Sequence, residues 1–135
     1  EAGEYNAAML NAAIDTNFLL SPTSDGERMD KVSQSASGFI YYVSFKVVTG
    51  ANRLDVTAVA DKLADLRRHT DLPVGVGFGI RDAETAGQVA AVADAVVVGS
   101  VLVKQIAGLV EQPDSMPATL AATVAELRSG VDSPA

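Results

Sequence analysis

"VGVGFGI", residues 74–80, decides the fold: it reads as a buried strand with glycine at every second position. Val74, Val76, Phe78 and Ile80 hold one phase, Gly75, Gly77 and Gly79 the other. Each interior glycine costs roughly 0.5 to 1 kcal/mol relative to alanine, so the bare phase needs a reason. Either a ligand or another backbone comes very close, or the strand packs tightly under a helix. Pro73 precedes the run, and Asp82 follows it at the head of "AETAGQVAAVA", a helical pattern that an aspartate would cap.

Outward from this strand the same alternation recurs. A helix over about Gly3 to Ile14 leads to the short apolar strand "NFLLS", which ends at the turn signal "PTSDG". A second helix, about Asp25 to Ala36, sets Met29 and Val32 three apart, and Gly38 then enters the strand "FIYYVSF". Asp55 caps a third helix, whose Val56, Val59, Leu63 and Leu66 form a buried stripe. "DAVVVGS", residues 94–100, is apolar and β-branched, as strands covered on both faces are. Helices over about Val101 to Val110 and Met116 to Arg128 close the chain, the latter stopped by Gly130.

Strand and helix in alternation imply a parallel sheet with right-handed helical crossovers. Two α/β architectures fit, a doubly wound sheet and part of a (β/α)8 barrel. A whole barrel takes about 250 residues, so a chain of 135 could supply only half of one. Residues 1–135 are expected to form a single α/β domain. A chain that opens inside a helical pattern, without an initiator Met, is expected of a fragment or an engineered half-barrel.

The formal charge of −7 argues against binding nucleic acid or anionic lipid, both of which need a basic face. No apolar run reaches the roughly 18 residues of a membrane span, because Lys104 interrupts the best candidate. With no cysteine, disulfides, thiolate zinc and cysteine nucleophiles are excluded. No metal and no cofactor are expected, and a disulfide-free chain fits the cytoplasm. His69, the one histidine, follows "RR" at a helix end, where the dipole is a better reason for it than catalysis.

"GFGI" at 77–80 and "VGS" at 98–100 each end a strand just before a helix. Parallel sheets bind their ligands at that edge, where helix N-termini offer unpaired N–H groups to an anion. Glycine lets a phosphate approach the backbone, and Ser100 adds a hydroxyl. The alternative is structural: the glycines of strand 74–80 allow close packing, and Gly99 with Ser100 makes a tight turn. A dinucleotide fold is disfavoured, since Asp82 stands where G-x-G-x-x-G needs its third glycine, and no Walker lysine is present.

"FLLSPTS", "SGFIYYVS", "VTGA", "PVGVGFGI" and "ADAVVVGS", in this order and at these intervals, resemble the second half of the tryptophan synthase alpha subunit. The resemblance implies strands 5 to 8 of a (β/α)8 barrel. The family cleaves indole-3-glycerol phosphate reversibly to indole and glyceraldehyde 3-phosphate and passes indole to a pyridoxal-phosphate beta subunit. Matched motif to motif, Gly50, Gly77, Gly79, Gly99 and Ser100 fall on phosphate-binding positions. Tyr41, Phe78 and Val97 fall on the indole pocket, and Thr49 on the closing loop. The ligand implied is indole-3-glycerol phosphate or a simple phosphate.

The family's acid and base, a Glu on the second strand and an Asp just after it, lie on strands this chain lacks. Asp25, Glu27, Asp55, Asp82 and Glu84 read as cap or first-turn residues, so no catalytic residue is assigned and the chain is expected to be inactive alone. Three departures stand out: Val47 where the closing loop has a Gly, Val101 where a small residue is usual, and "LNAAIDTNF" without the usual helix-ending Gly or Asn. An isolated half-barrel exposes the inner face of its sheet and two edges, the strands beginning at Phe18 and Ala95. Self-association, or a complementing half-barrel, is the expected remedy. A non-catalytic half-barrel scaffold that folds as a homo-oligomer is the alternative to an enzyme half.

Overall fold

The computed structural model describes residues 3–44, 55–77 and 79–133. Its elements alternate: α1 (Gly3–Asn11), β1 (Phe18–Leu20), α2 (Gly26–Ser35), β2 (Ile40–Val43), α3 (Val56–Leu66), β3 (Val74–Gly77), α4 (Ala83–Ala90), β4 (Ala95–Val97), α5 (Ser100–Gly108) and α6 (Met116–Asp132). The strands form one sheet in the order β1-β2-β3-β4, every neighbouring pair parallel. β1 and β4 are its edges, as the half-barrel expectation requires.

Register separates the two faces. Leu20, Tyr42, Val76 and Val96 share one row, and Ile40 lies opposite Val74 on the same side. This side is the core: Ile40, Val74 and Val76 are fully buried, packed with Met29 and Val32 of α2, Val59, Leu63 and Leu66 of α3, and Ala86 and Val89 of α4. The other face carries Leu19, Tyr41, Gly75 and Ala95 in one row and Val43, Gly77 and Val97 in the next. Leu19 there is 58% exposed. A doubly wound sheet would bury both faces, so helices on one side only mark half of a barrel.

Local chemistry accounts for the helix starts. Asp25, Asp55 and Asp82 accept hydrogen bonds from Arg28 N (2.9 Å), Ala58 N (3.0 Å) and Thr85 N (2.8 Å). Asp82 and Thr85 complete a reciprocal capping box. The helix ends differ from expectation at two places. α1 stops at Asn11 rather than Ile14, in a Schellman turn: Ile14 N donates to Met9 O and Ala13 N to Leu10 O. Ala13 takes the left-handed conformation there, φ 55°, where Gly or Asn is usual.

Gly130 does not stop α6, which runs on to Asp132. A Cβ on Gly130 would strike the carbonyl oxygen of Ala83, and one on Gly87 would lie 2.9 Å from the carbonyl oxygen of Gly130. The two glycines let α4 and α6 cross backbone to backbone. His69 packs across helices as well, its Nδ1 2.6 Å from Asp30 Oδ1 on α2.

Candidate functional site at the carboxyl end of the sheet

β3 and β4 end level, Gly77 opposite Val97, so Gly79 and Gly99 each lie two residues past that paired row. Gly79 has φ +75°, a conformation that side chains resist, and among the described residues no heavy atom beyond its chain neighbours lies within 4 Å of where its Cβ would be. Gly99 is equally unobstructed and immediately precedes α5. No side chain caps α5, unlike α2, α3 and α4, whose N-termini are closed by aspartates. Ser100, Gly79 and Gly99 are all exposed. Two adjacent strands thus end in accessible glycine backbone beside an uncapped helix N-terminus, a combination suited to a small oxyanion.

The three glycines of the opening strand therefore do different work. Gly79 supplies conformation. At Gly77 a Cβ would lie 2.5 Å from Tyr41 Oη and 2.8 Å from its Cε2, so this glycine makes room for the Tyr41 ring. At Gly75 a Cβ would meet Phe39, Val97 and Ala95 at ordinary contact distances of 3.5 to 3.6 Å. Of the three glycines, the close approach therefore belongs to Gly77. The sheet's open face brings Tyr41 and Val97 near these glycines, an apolar floor with a phenol at its rim. Phe78, Thr49 and Gly50 lie outside the described residues, as does Val47.

The carboxylates are placed as cap and surface groups. Asp82 is held below the usual carboxylate range by hydrogen bonds from the Thr85 hydroxyl and backbone. Glu27 pairs with Lys31 at 2.5 Å. Among the described residues no group of three or more His, Asp or Glu could hold a metal ion, and no helix is long and apolar enough to cross a membrane.

Two further features had no sequence signal. Asp94 Oδ2 accepts from the buried Val74 N (2.8 Å) and from Arg67 (3.1 Å), fastening the start of β3. At the other end of β2, the buried hydroxyl of Ser44 has no partner among the described residues and lines a cavity of about 100 Å³ with Tyr42, Asp55 and Lys62. Lys62 Nζ donates to Ser24 O there (2.9 Å), and burial raises the Tyr42 pKa above its ordinary 10.0.

Four sequential parallel strands, helices on one face only and an anion-ready carboxyl edge define one half of a (β/α)8 barrel. A family model described as "Tryptophan synthase alpha chain" matches residues 1–132. The chain belongs to the tryptophan synthase alpha chain family. It is 52% identical over 132 residues to the alpha chain of Alkalilimnicola ehrlichii, covering 98% of this chain and 48% of that one. It is 55% identical to that of Thioalkalivibrio sulfidiphilus, with 98% and 50% covered.

Among solved structures, the alpha subunit of Legionella pneumophila aligns with TM-score 0.83 at 30% identity, over 98% of this chain and 48% of that one. Mycobacterium tuberculosis tryptophan synthase aligns with TM-score 0.78 at 36% identity, over 97% and 47%. The chain therefore spans about half the length of the curated relatives it matches.

Proposed function

We propose that this chain is the phosphate- and indole-binding half of a tryptophan synthase alpha-type lyase, with its strands corresponding to strands 5 to 8 of the barrel and residues 1–135 forming one α/β domain. The observation that carries the proposal is the carboxyl edge of β3 and β4, where Gly79 with φ +75° and the uncapped start of α5 at Ser100 lie on adjacent strand ends. Gly77, Gly79, Gly99, Ser100 and Gly50 would hold the phosphate of indole-3-glycerol phosphate, through backbone N–H groups and the Ser100 hydroxyl. Tyr41, Val97 and Phe78 would border the indole ring, and Thr49 would belong to the loop that closes over it.

The reaction breaks the bond between the indole ring carbon and the glycerol chain. The ring carbon gains a proton, and the hydroxyl on the chain carbon that was joined to it loses one, leaving indole and glyceraldehyde 3-phosphate. Both transfers need a positioned acid and base. The Asp residues of this chain near the sheet's carboxyl end are engaged as helix caps, Asp25, Asp55 and Asp82 among them. The acid and base would therefore come from the half of the barrel that these residues do not span, and docking to a pyridoxal-phosphate beta subunit would need the whole barrel.

Calorimetric titration with glycerol 3-phosphate tests the binding half of this proposal. Binding is expected to disappear in Gly79→Val and weaken in Ser100→Ala, while the 135-residue chain alone shows no turnover of indole-3-glycerol phosphate. A wild-type chain that takes up no glycerol phosphate would refute the binding role, and turnover that survives a mock-purification control would refute the inactivity.

A further inference from the structure

The uncapped N–H groups that open α5 point along the helix axis, so the direction of that axis decides where they aim. Val101 packs against the core and fixes the first turn in depth. One anchored point leaves a helix free to swing about it. The second point is Gln105, four residues on, hence on the same face and about 6 Å further along the axis. Its Nε2 donates to Thr123 Oγ1 of α6 at 2.7 Å, and the Thr123 hydroxyl lies 3.0 Å from Gln105 Oε1. Both amide atoms of one side chain thus meet one hydroxyl, which also lies 3.3 Å from the carbonyl oxygen of Thr119. Among the described residues, this pair is the one side-chain hydrogen-bonded tie that α5 makes.

The same helix braces the other side of the cradle. Gly130 of α6 meets the carbonyl of Ala83, the first residue of α4, which stands four residues past Gly79. Thr123 and Gly130 are seven residues apart, so about 10 Å of one helix separates the two ties. Leu127, between them, is buried in the core and keeps that helix in place. Both strand ends that carry accessible glycine are therefore followed by helices fastened to α6.

We infer that Gln105 and Thr123 are positioning residues for the phosphate cradle, tying the axis of α5 to α6 so that its first N–H groups keep a fixed place relative to Gly79. The inference rests on the phosphate reading proposed above. Donors from two separate helices bind one small anion well only when the frame behind them holds their separation and direction. Neither side chain touches the anion. Their effect passes through α5.

Thr123→Val keeps the shape of the side chain and removes its hydroxyl, whereas Thr123→Ser keeps the hydroxyl. Gln105→Met breaks the same pair from the other side. The net stabilisation by one hydrogen bond caps the effect, so affinity for glycerol 3-phosphate, measured by calorimetry, should fall about three- to tenfold in Thr123→Val and Gln105→Met. Thr123→Ser should bind as wild type does. Circular dichroism is expected to show unchanged helix content in all three, which separates positioning from loss of fold. Without ligand, exchange of the Val103 amide, which donates to Gly99 O at 3.1 Å, should quicken in Thr123→Val and not in Thr123→Ser. A wild type that binds, with a folded Thr123→Val that binds equally well, would overturn the inference and leave the phosphate reading standing. A wild type that takes up no glycerol phosphate would refute that reading instead, and unchanged Val103 exchange in Thr123→Val would then overturn the tie itself.

Discussion

Replacing Gly130 by alanine tests the helix crossing that closes the far side of the sheet. In a helix interior such a change ordinarily gains about 1 kcal/mol through backbone entropy. Here the new Cβ meets Ala83, striking its carbonyl oxygen and lying 2.7 Å from its carbonyl carbon and 2.8 Å from its Cα. These are backbone atoms of the first turn of α4, with no rotamer to swing aside. Overpacking of this kind costs about 1 to 3 kcal/mol, and a rigid obstacle belongs at the upper end, so the net loss is about 1 to 2 kcal/mol. Gly108 provides the control: it too is helical, but nothing lies within 4 Å of its Cβ position. Gly108→Ala is expected to gain about 0.5 to 1 kcal/mol. Urea denaturation of both variants decides the matter. Equal stabilisation by the two substitutions would show that α4 and α6 do not approach as closely as described.

Ala13→Gly should stabilise the chain by about 0.5 to 1 kcal/mol, the cost of a left-handed alanine less the extra freedom of glycine when unfolded; thermal melts measure it. Asp82→Ala removes the capping box of α4 and should cost about 1 kcal/mol at neutral pH. Because the folded state lowers the Asp82 pKa below its ordinary 3.8, the carboxylate's contribution is present above that value and lost as pH falls through the folded value. Wild type should therefore lose more stability than Asp82→Ala between pH 5 and about 2, by an amount that solvent screening of this half-exposed group keeps small. Asp94→Ala leaves the fully buried Val74 N–H without an acceptor and should cost about 1 to 3 kcal/mol in urea melts, whereas Asp94→Asn keeps an acceptor and should cost much less.

The elements were legible in the sequence where their causes are local. Asp25, Asp55 and Asp82 each announced a helix because a cap needs only a carboxylate three residues ahead of the amide it accepts from. The parallel sheet followed from alternation, and its edge strands from the count of four. Gly130 misled because its cause is tertiary: a glycine near a helix end looks like a stop, and only the Ala83 carbonyl across the crossing explains it. Ala13 ends α1 through a geometry that its identity disfavours, so composition could place that end only loosely. The same limit applies within the opening strand. Gly75, Gly77 and Gly79 look equivalent in sequence, yet one meets ordinary contacts, one yields to Tyr41 and one turns the backbone to positive φ. Ser44 and Asp94 carried no signal, since a hydroxyl buried at a cavity wall and a cross-strand acceptor depend on neighbours distant in the chain.

The proposed function requires the carboxyl edge of β3 and β4 to receive a phosphate. The direct measurement is an amide-resolved NMR titration with glycerol 3-phosphate, following Gly79, Gly99 and Ser100 with Gly108 as a remote reference. Saturable shifts are expected at the first three and none at Gly108. Unmoved signals at Gly79 and Ser100 at saturating ligand would contradict it.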